Sequence, residues 1–168
     1  MRVLIRPPRG DDAPGLVRAA GDLAARYAEL EPERFAVPDV DASVAYFEEV
    51  LARPPRDDVV RLVADVDGAA VGEAIAELRE PMRNAAVQPQ LDVRRRRAYL
   101  GYLAVQERYR GQGVGGRLLE AVEAWARERG AELISTDTNL RSNVGAVEFY
   151  ERHGYERQAV ILRKALGP

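Results

Sequence analysis

The sequence predicts an α/β fold in the order β-α-α-β-β-β-α-β-α-β-β, and three observations carry that expectation. Stretches of period two alternate with stretches of period three to four along the 168 residues. An Asp67-Gly68 pair between two apolar runs marks an antiparallel hairpin. Further on, a strand, a glycine-rich turn, a helix and a strand succeed one another, which asks for a parallel pair. Strands of both senses make a mixed sheet. One domain is expected over residues 1–168, since a chain of this length buries roughly 70% of its unfolded surface around one core.

Val3-Leu4-Ile5 reads as the first strand, closed by Pro7-Pro8. From Asp11 the spacing of Leu16, Ala19, Ala20, Leu23 and Tyr27 is helical, with Asp11 or Asp12 as the cap. A second helix starts near Asp41, carries Val44, Phe47, Val50 and Leu51 on one face, and stops at Pro54-Pro55. Val59 to Val66 and Ala69 to Leu78 are the arms of the hairpin. Pro81 to Val93 lacks a period and reads as a loop. Arg94 to Arg97 reads as a solvated strand entry or as a surface for phosphates or an acidic acceptor; strand alternation lets at most two of the four serve one site. Tyr99 to Val105 is the clearest strand. A helix follows from about Gly113 to Arg129, with Val114, Leu118, Val122 and Trp125 on its apolar stripe and Gly130 at its end. Ala131 to Thr136 is a strand, Asn143 to His153 a helix, and Tyr155 to Leu166 an extended close.

Composition removes several classes of chemistry. The absence of cysteine excludes disulfides, thiolate metal sites and a cysteine nucleophile, and a single histidine, His153, leaves no His-based metal cluster. No metal is expected. The charge of −2, from 25 basic and 27 acidic residues, supplies no global field for nucleic acid or an anionic membrane. No apolar stretch approaches the ~20 residues of a membrane span. The amino terminus is too briefly apolar for a secretion signal, so a cytoplasmic protein is expected. A homodimer is compatible with the chain.

The chemical centre is Arg110-Gly111-Gln112-Gly113-Val114-Gly115-Gly116. A helix start presents unpaired N–H groups and the positive end of a dipole, and glycines let a phosphate approach that backbone. Gly111, Gly113 and Gly116 also satisfy the dinucleotide pattern Gly-x-Gly-x-x-Gly. Context opposes that rival: Gln106 to Arg110 separate the glycines from the strand, and the chain ends too soon for the remaining strands.

The turn resembles the acetyl-CoA signature of the GNAT superfamily, Gln/Arg-x-x-Gly-x-Gly/Ala, through Arg110, Gly113 and Gly115. The family's second motif, Asn-x-x-Ala-x-x-x-Tyr, is met by Asn143, Ala146 and Tyr150. The resemblance extends over nearly the whole chain and implies a central mixed sheet with helices on both faces. It also implies an N-acetyltransferase that uses acetyl-CoA as co-substrate and an amine as acceptor. By the same resemblance Leu103, Ala104 and Val105 contact the acetyl and pantetheine groups, and Arg110, Gly111, Gln112, Gly113, Val114, Gly115 and Gly116 hold the pyrophosphate. Asn139, Asn143, Ala146 and Tyr150 complete the cofactor set, with Tyr150 protonating the departing thiolate.

The base that takes the amine proton is not given by the resemblance, because Tyr99 to Val105 holds no carboxylate. Glu73 and Glu77 share one face of the preceding strand and are the candidates, with Asp137 as another and a water relay as an equal option. A non-catalytic acyl-CoA-binding domain is the alternative function.

Overall fold

The computed structural model describes residues 1–139 and 143–164. The chain forms two compact units, Met1–Asp137 and Thr138–Pro168.

The first unit holds a five-stranded sheet in the order β1-β2-β3-β4-β5. Its strands are β1 Val3–Arg6, β2 Val59–Val66, β3 Ala69–Arg79, β4 Arg97–Val105 and β5 Leu133–Thr136. The first four pair antiparallel and β5 runs parallel to β4, so the sheet is mixed as expected. The hairpin between β2 and β3 turns on Asp67 (φ 52°) and Gly68 (φ 86°), the left-handed pair of a two-residue hairpin, and Asp65 Oδ1 accepts the Gly68 N–H at 2.8 Å.

Two one-residue irregularities set which side chains share a face. Asp65 pairs Ala70 but Ala64 pairs Gly72, so Val71 is extra on β3; Ile75 pairs Tyr102 but Ala76 pairs Leu100, so Gly101 is extra on β4. Val63, Glu73, Ile75 and Tyr102 consequently share one face, and Gly72, Ala74, Leu100 and Val105 share the other.

Helices cover both faces. On the first lie α1 (Ala13–Leu30) and α2 (Val40–Ala52), whose Leu16, Val17 and Phe47 form a core with Val63 and Ala70. Gly15 lets α1 come close: a Cβ there would stand 2.3 Å from the Ala70 carbonyl. On the second face lies α3 (Val114–Glu128), burying Val114, Leu118, Leu119, Val122 and Trp125. Trp125 is a core residue. Asp39 caps α2, its Oδ1 accepting the Ala42 N–H at 2.8 Å. Pro54 ends that helix by holding Arg53 in extended backbone (ψ 145°). Gly130 (φ 75°) closes α3 with Ala131 N–H on the Ala126 carbonyl.

The arginine run serves local structure. Arg94 donates to the Gln88 carbonyl, Arg97 to the Asp92 carbonyl, and Arg96 to the Arg129 carbonyl, while Arg96 also pairs with Glu80.

The second unit contains α4, Val144–Arg152, closed by Gly154 (φ 85°). The two strands expected from Tyr155 onward are not found among the described residues: 155–164 carry no strand, and Val160, Ile161 and Leu162 are exposed. A strand needs a partner edge, and the described part of this unit holds one helix and no other strand. Ala165 and Leu166 lie outside the described residues. No described helix is long and apolar enough to cross a membrane.

Candidate active site

The glycine turn follows β4 through a short 3-10 turn, Glu107–Tyr109. Gly111 (φ 73°) and Gly113 (φ 81°) both sit in left-handed backbone, and no atom lies within 4 Å of a Cβ built on either. Glycine is demanded there by dihedral angle, with open space around it. Gly113 is the N-cap of α3 and brings no side-chain acceptor, so the first-turn N–H groups of Val114, Gly115 and Gly116 are available to an anion. Gln112 turns its amide back onto the Arg108 carbonyl. Arg110 points its Nε–H at the Val105 carbonyl, 2.9 Å away, and so braces the turn against the end of β4.

The base of the turn is fastened to α1. Gln106, 2% exposed, donates from Nε2 to the carbonyls of Gly15 and Ala70, both at 3.0 Å. The Glu107 N–H donates to Asp22 Oδ2 at 2.7 Å.

Pairing of β4 with β5 stops at Leu100–Thr136, so residues 101–105 run on without β5 beside them. The Gln106 N–H goes to Val71 on β3, and strand alternation then turns the N–H groups of Leu103 and Val105 away from β3, toward the open edge. Residues 103–105 therefore lie wholly past the end of the β4–β5 pairing.

Glu73 on β3 lies directly opposite Ala104 on β4. It is 1% exposed, and Arg61 Nη1 donates to its Oε1 at 2.8 Å. Burial pushes its carboxyl up, Arg61 pulls it back only in part, and the result is about 7. Glu73, Arg61 and Tyr102 all line a cavity of about 470 Å³ whose other walls include Ala20, Phe47 and Ile75. Burial also raises the Tyr102 phenol, which stays protonated. Glu77 is elsewhere: its side chain is 44% exposed, pairs with Arg79, and does not line the cavity. Asp137 accepts the Tyr99 hydroxyl, and the Arg79 guanidinium lies 3.8 Å from the Tyr99 ring centre.

In the second unit Asn143 immediately precedes α4, and its N–H donates to the Asn139 carbonyl at 2.9 Å. Ala146 and Tyr150 follow on the helix, both half-buried. The Tyr150 ring packs edge-on to Phe149 at 5.1 Å and tilted to Tyr155 at 5.4 Å.

Sequence reasoning missed Arg61 and Tyr102 as site residues. A lone arginine inside the apolar run Val59-Val60-Arg61-Leu62-Val63 was the available signal, since a charge there needs a partner.

Residues 24–155 match the acetyltransferase (GNAT) family. The chain is 29% identical over 158 residues to an aminoglycoside N(6')-acetyltransferase type 1 of Stenotrophomonas maltophilia, covering 93% of this chain and 96% of that protein. It is 37% identical over 67 residues to N-alpha-acetyltransferase 30 of Schizosaccharomyces pombe, which is 40% of this chain and 44% of that one. Among solved structures, a mutant of the BH1408 protein from Bacillus halodurans superposes with a TM-score of 0.80 at 19% identity, over 97% of this chain and 99% of that chain. The aminoglycoside N-acetyltransferase AAC(6')-Iy, in complex with the bisubstrate analogue CoA-S-monomethyl-acetylneamine, does so at 0.62 and 24% identity, over 99% and 100%. At such identities the superpositions speak for the fold, whereas the family match spans most of the chain and takes in both the glycine turn and the Asn143–Tyr150 motif: the chain belongs to the GNAT family of acetyltransferases and is an acyltransferase.

Proposed function

We propose that the chain transfers an acetyl group from acetyl-CoA to a primary amine by direct attack, with Glu73 as the base. One observation carries this reading: a buried carboxylate, held near pKa 7 in a cavity, one strand from the open edge of β4. The family match crosses the boundary between the two units, which supports treating them as one catalytic domain.

The chemistry assigns each part a task. The first turn of α3 and the backbone at Gly111 and Gly113 receive the pyrophosphate, and Asn139, Asn143 and Ala146 receive the pantetheine arm. N–H groups at Leu103 and Val105 polarise the thioester carbonyl. The amine nitrogen attacks that carbon, the C–N bond forms and the C–S bond breaks. An alkylammonium has a pKa near ~10.4 and has no lone pair, so the neutral amine is the form that attacks; as the C–N bond forms its nitrogen becomes strongly acidic, and a carboxylate poised near 7 can take the proton. The departing thiolate takes a proton from Tyr150.

Two substitutions test the roles. Glu73→Gln should lower kcat ~10²-fold or more and remove the rising limb of kcat/KM near pH 7, with acetyl-CoA affinity by calorimetry unchanged. An unchanged single-turnover rate would take the base role from Glu73 and favour a water relay. Tyr150→Phe keeps the ring and loses the donor, so kcat and kcat/KM should fall together while acetyl-CoA affinity holds. Single-turnover measurement separates this from slow product release.

A further inference from the structure

Resting on the reading above, we infer that the acceptor is a monoamine with an apolar, ring-sized body, and that polycationic sugars and peptide amino termini are poor acceptors. The cavity beside Glu73 has a volume within the usual small-molecule range. Its wall is mostly hydrocarbon and aromatic: Ala20, Pro38, Ala42, Tyr46, Phe47 and Ile75. Tyr46 and Phe47 meet edge to face at 5.8 Å on α2.

Charge on the wall is equally restrictive. With Glu73 ionised, two carboxylates, Asp39 and Glu73, stand against one cation, Arg61, a net of one negative charge. Both carboxylates already have partners: Asp39 caps α2, and Glu73 is paired to Arg61. One ammonium beside Glu73 brings the site to neutrality. A second or third would meet Arg61 and hydrocarbon and stay unpaired, which is how a site rejects a ligand it has no contacts for. The hydroxyls of an aminosugar and the amides of a peptide would find three uncharged polar side chains on that wall, the hydroxyls of Ser43, Tyr46 and Tyr102. The aminoglycoside relatives share the fold and the transfer, and this wall argues against carrying their acceptor over.

The test uses the full chain, saturating acetyl-CoA and detection of released thiol. 2-Phenylethylamine and hexylamine are compared with neamine and tri-alanine. The expected result is a kcat/KM for the two apolar amines about tenfold or more above the other two. Equal values, or a preference for neamine or tri-alanine, would overturn the inference; no acetylation of any of the four amines by a protein that binds acetyl-CoA would overturn it together with the transfer it rests on. Failure to bind acetyl-CoA would overturn the proposed function itself. Ala42→Phe, at an exposed position on the cavity wall, should raise KM for 2-phenylethylamine about tenfold and leave acetyl-CoA affinity unchanged; an unchanged KM would place the amine elsewhere.

Discussion

Glu73 is asked to be charged where folding would prefer it neutral. Its carboxyl rises from 4.5 to about 7 because burial outweighs Arg61, so the native state holds a proton that the unfolded chain releases. That contribution to stability is complete below pH 4.5 and is lost as pH rises to about 7 and beyond. The span corresponds to about 3 kcal/mol, less whatever water reaches the Arg61 side. Denaturant unfolding from pH 4 to 8 should therefore show wild type losing stability relative to Glu73→Gln with rising pH, the difference levelling above about 7. A flat difference would mean that Glu73 is solvated. The carboxylate itself was legible in the sequence, but its partner was not. Counting back from Asp67-Gly68 without irregularity pairs Arg61 with Ala74 and puts it on the face opposite Glu73. The extra residue Val71 shifts the register so that Arg61 opposes Ile75 and lies diagonal to Glu73 on the same face. A bulge leaves no mark that the period of a strand can reveal.

Elements were legible where pattern and punctuation agree. The α3 helix, its glycine turn and its terminal Gly130 are written in local chemistry, and so is the β2–β3 hairpin. The close of the chain is different: an apolar run such as Val160-Ile161-Leu162 states a preference for strand but does not supply the edge it must pair with. For the glycine turn, structure sharpens the expectation. At Gly113 the penalty for a side chain comes from φ 81°, since space is open, and an L-residue there costs roughly 1–2 kcal/mol. Gly113→Val adds a branched side chain where the phosphate would lie, so its loss of acetyl-CoA affinity in calorimetry should exceed that of Arg110→Ala. Arg110→Ala removes only the brace to the Val105 carbonyl. Equal or reversed losses would count against a backbone cradle.

At the scale of the molecule, one buried network joins three elements. Arg6 on β1 donates two bonds to Asp12, at 2.7 and 2.8 Å, and one from Nε to Asp65 on β2 at 2.8 Å. Burial alone would raise the Asp12 carboxyl, but Arg6 and the Arg9 N–H hold it below the usual range. Its stabilisation is thus present at neutral pH and is lost as pH falls through that lowered value. Asp12→Ala leaves Arg6 with one carboxylate in a buried site, and should cost about 3–5 kcal/mol in urea unfolding at pH 7. A loss under ~1 kcal/mol would show that water reaches Arg6. Residues six and fifty-nine positions apart meet here, and nothing in a linear pattern of charges announces such a meeting.

The extra residue at Gly101 works like a frameshift in the two-letter alphabet of a strand, in which every side chain is read as up or down. Ahead of it Ala98 and Leu100 are read toward α3; past it Leu103 and Val105 are, while Tyr102 is read toward the cavity. Delete Gly101 and everything on one side of it changes meaning: either Tyr102 goes under α3 and Leu103 into the cavity, or Leu100 leaves the core and Tyr99 enters it. The sheet therefore carries two messages, packing against α3 on one face and the cavity beside Glu73 and Tyr102 on the other, and a single glycine keeps them in phase.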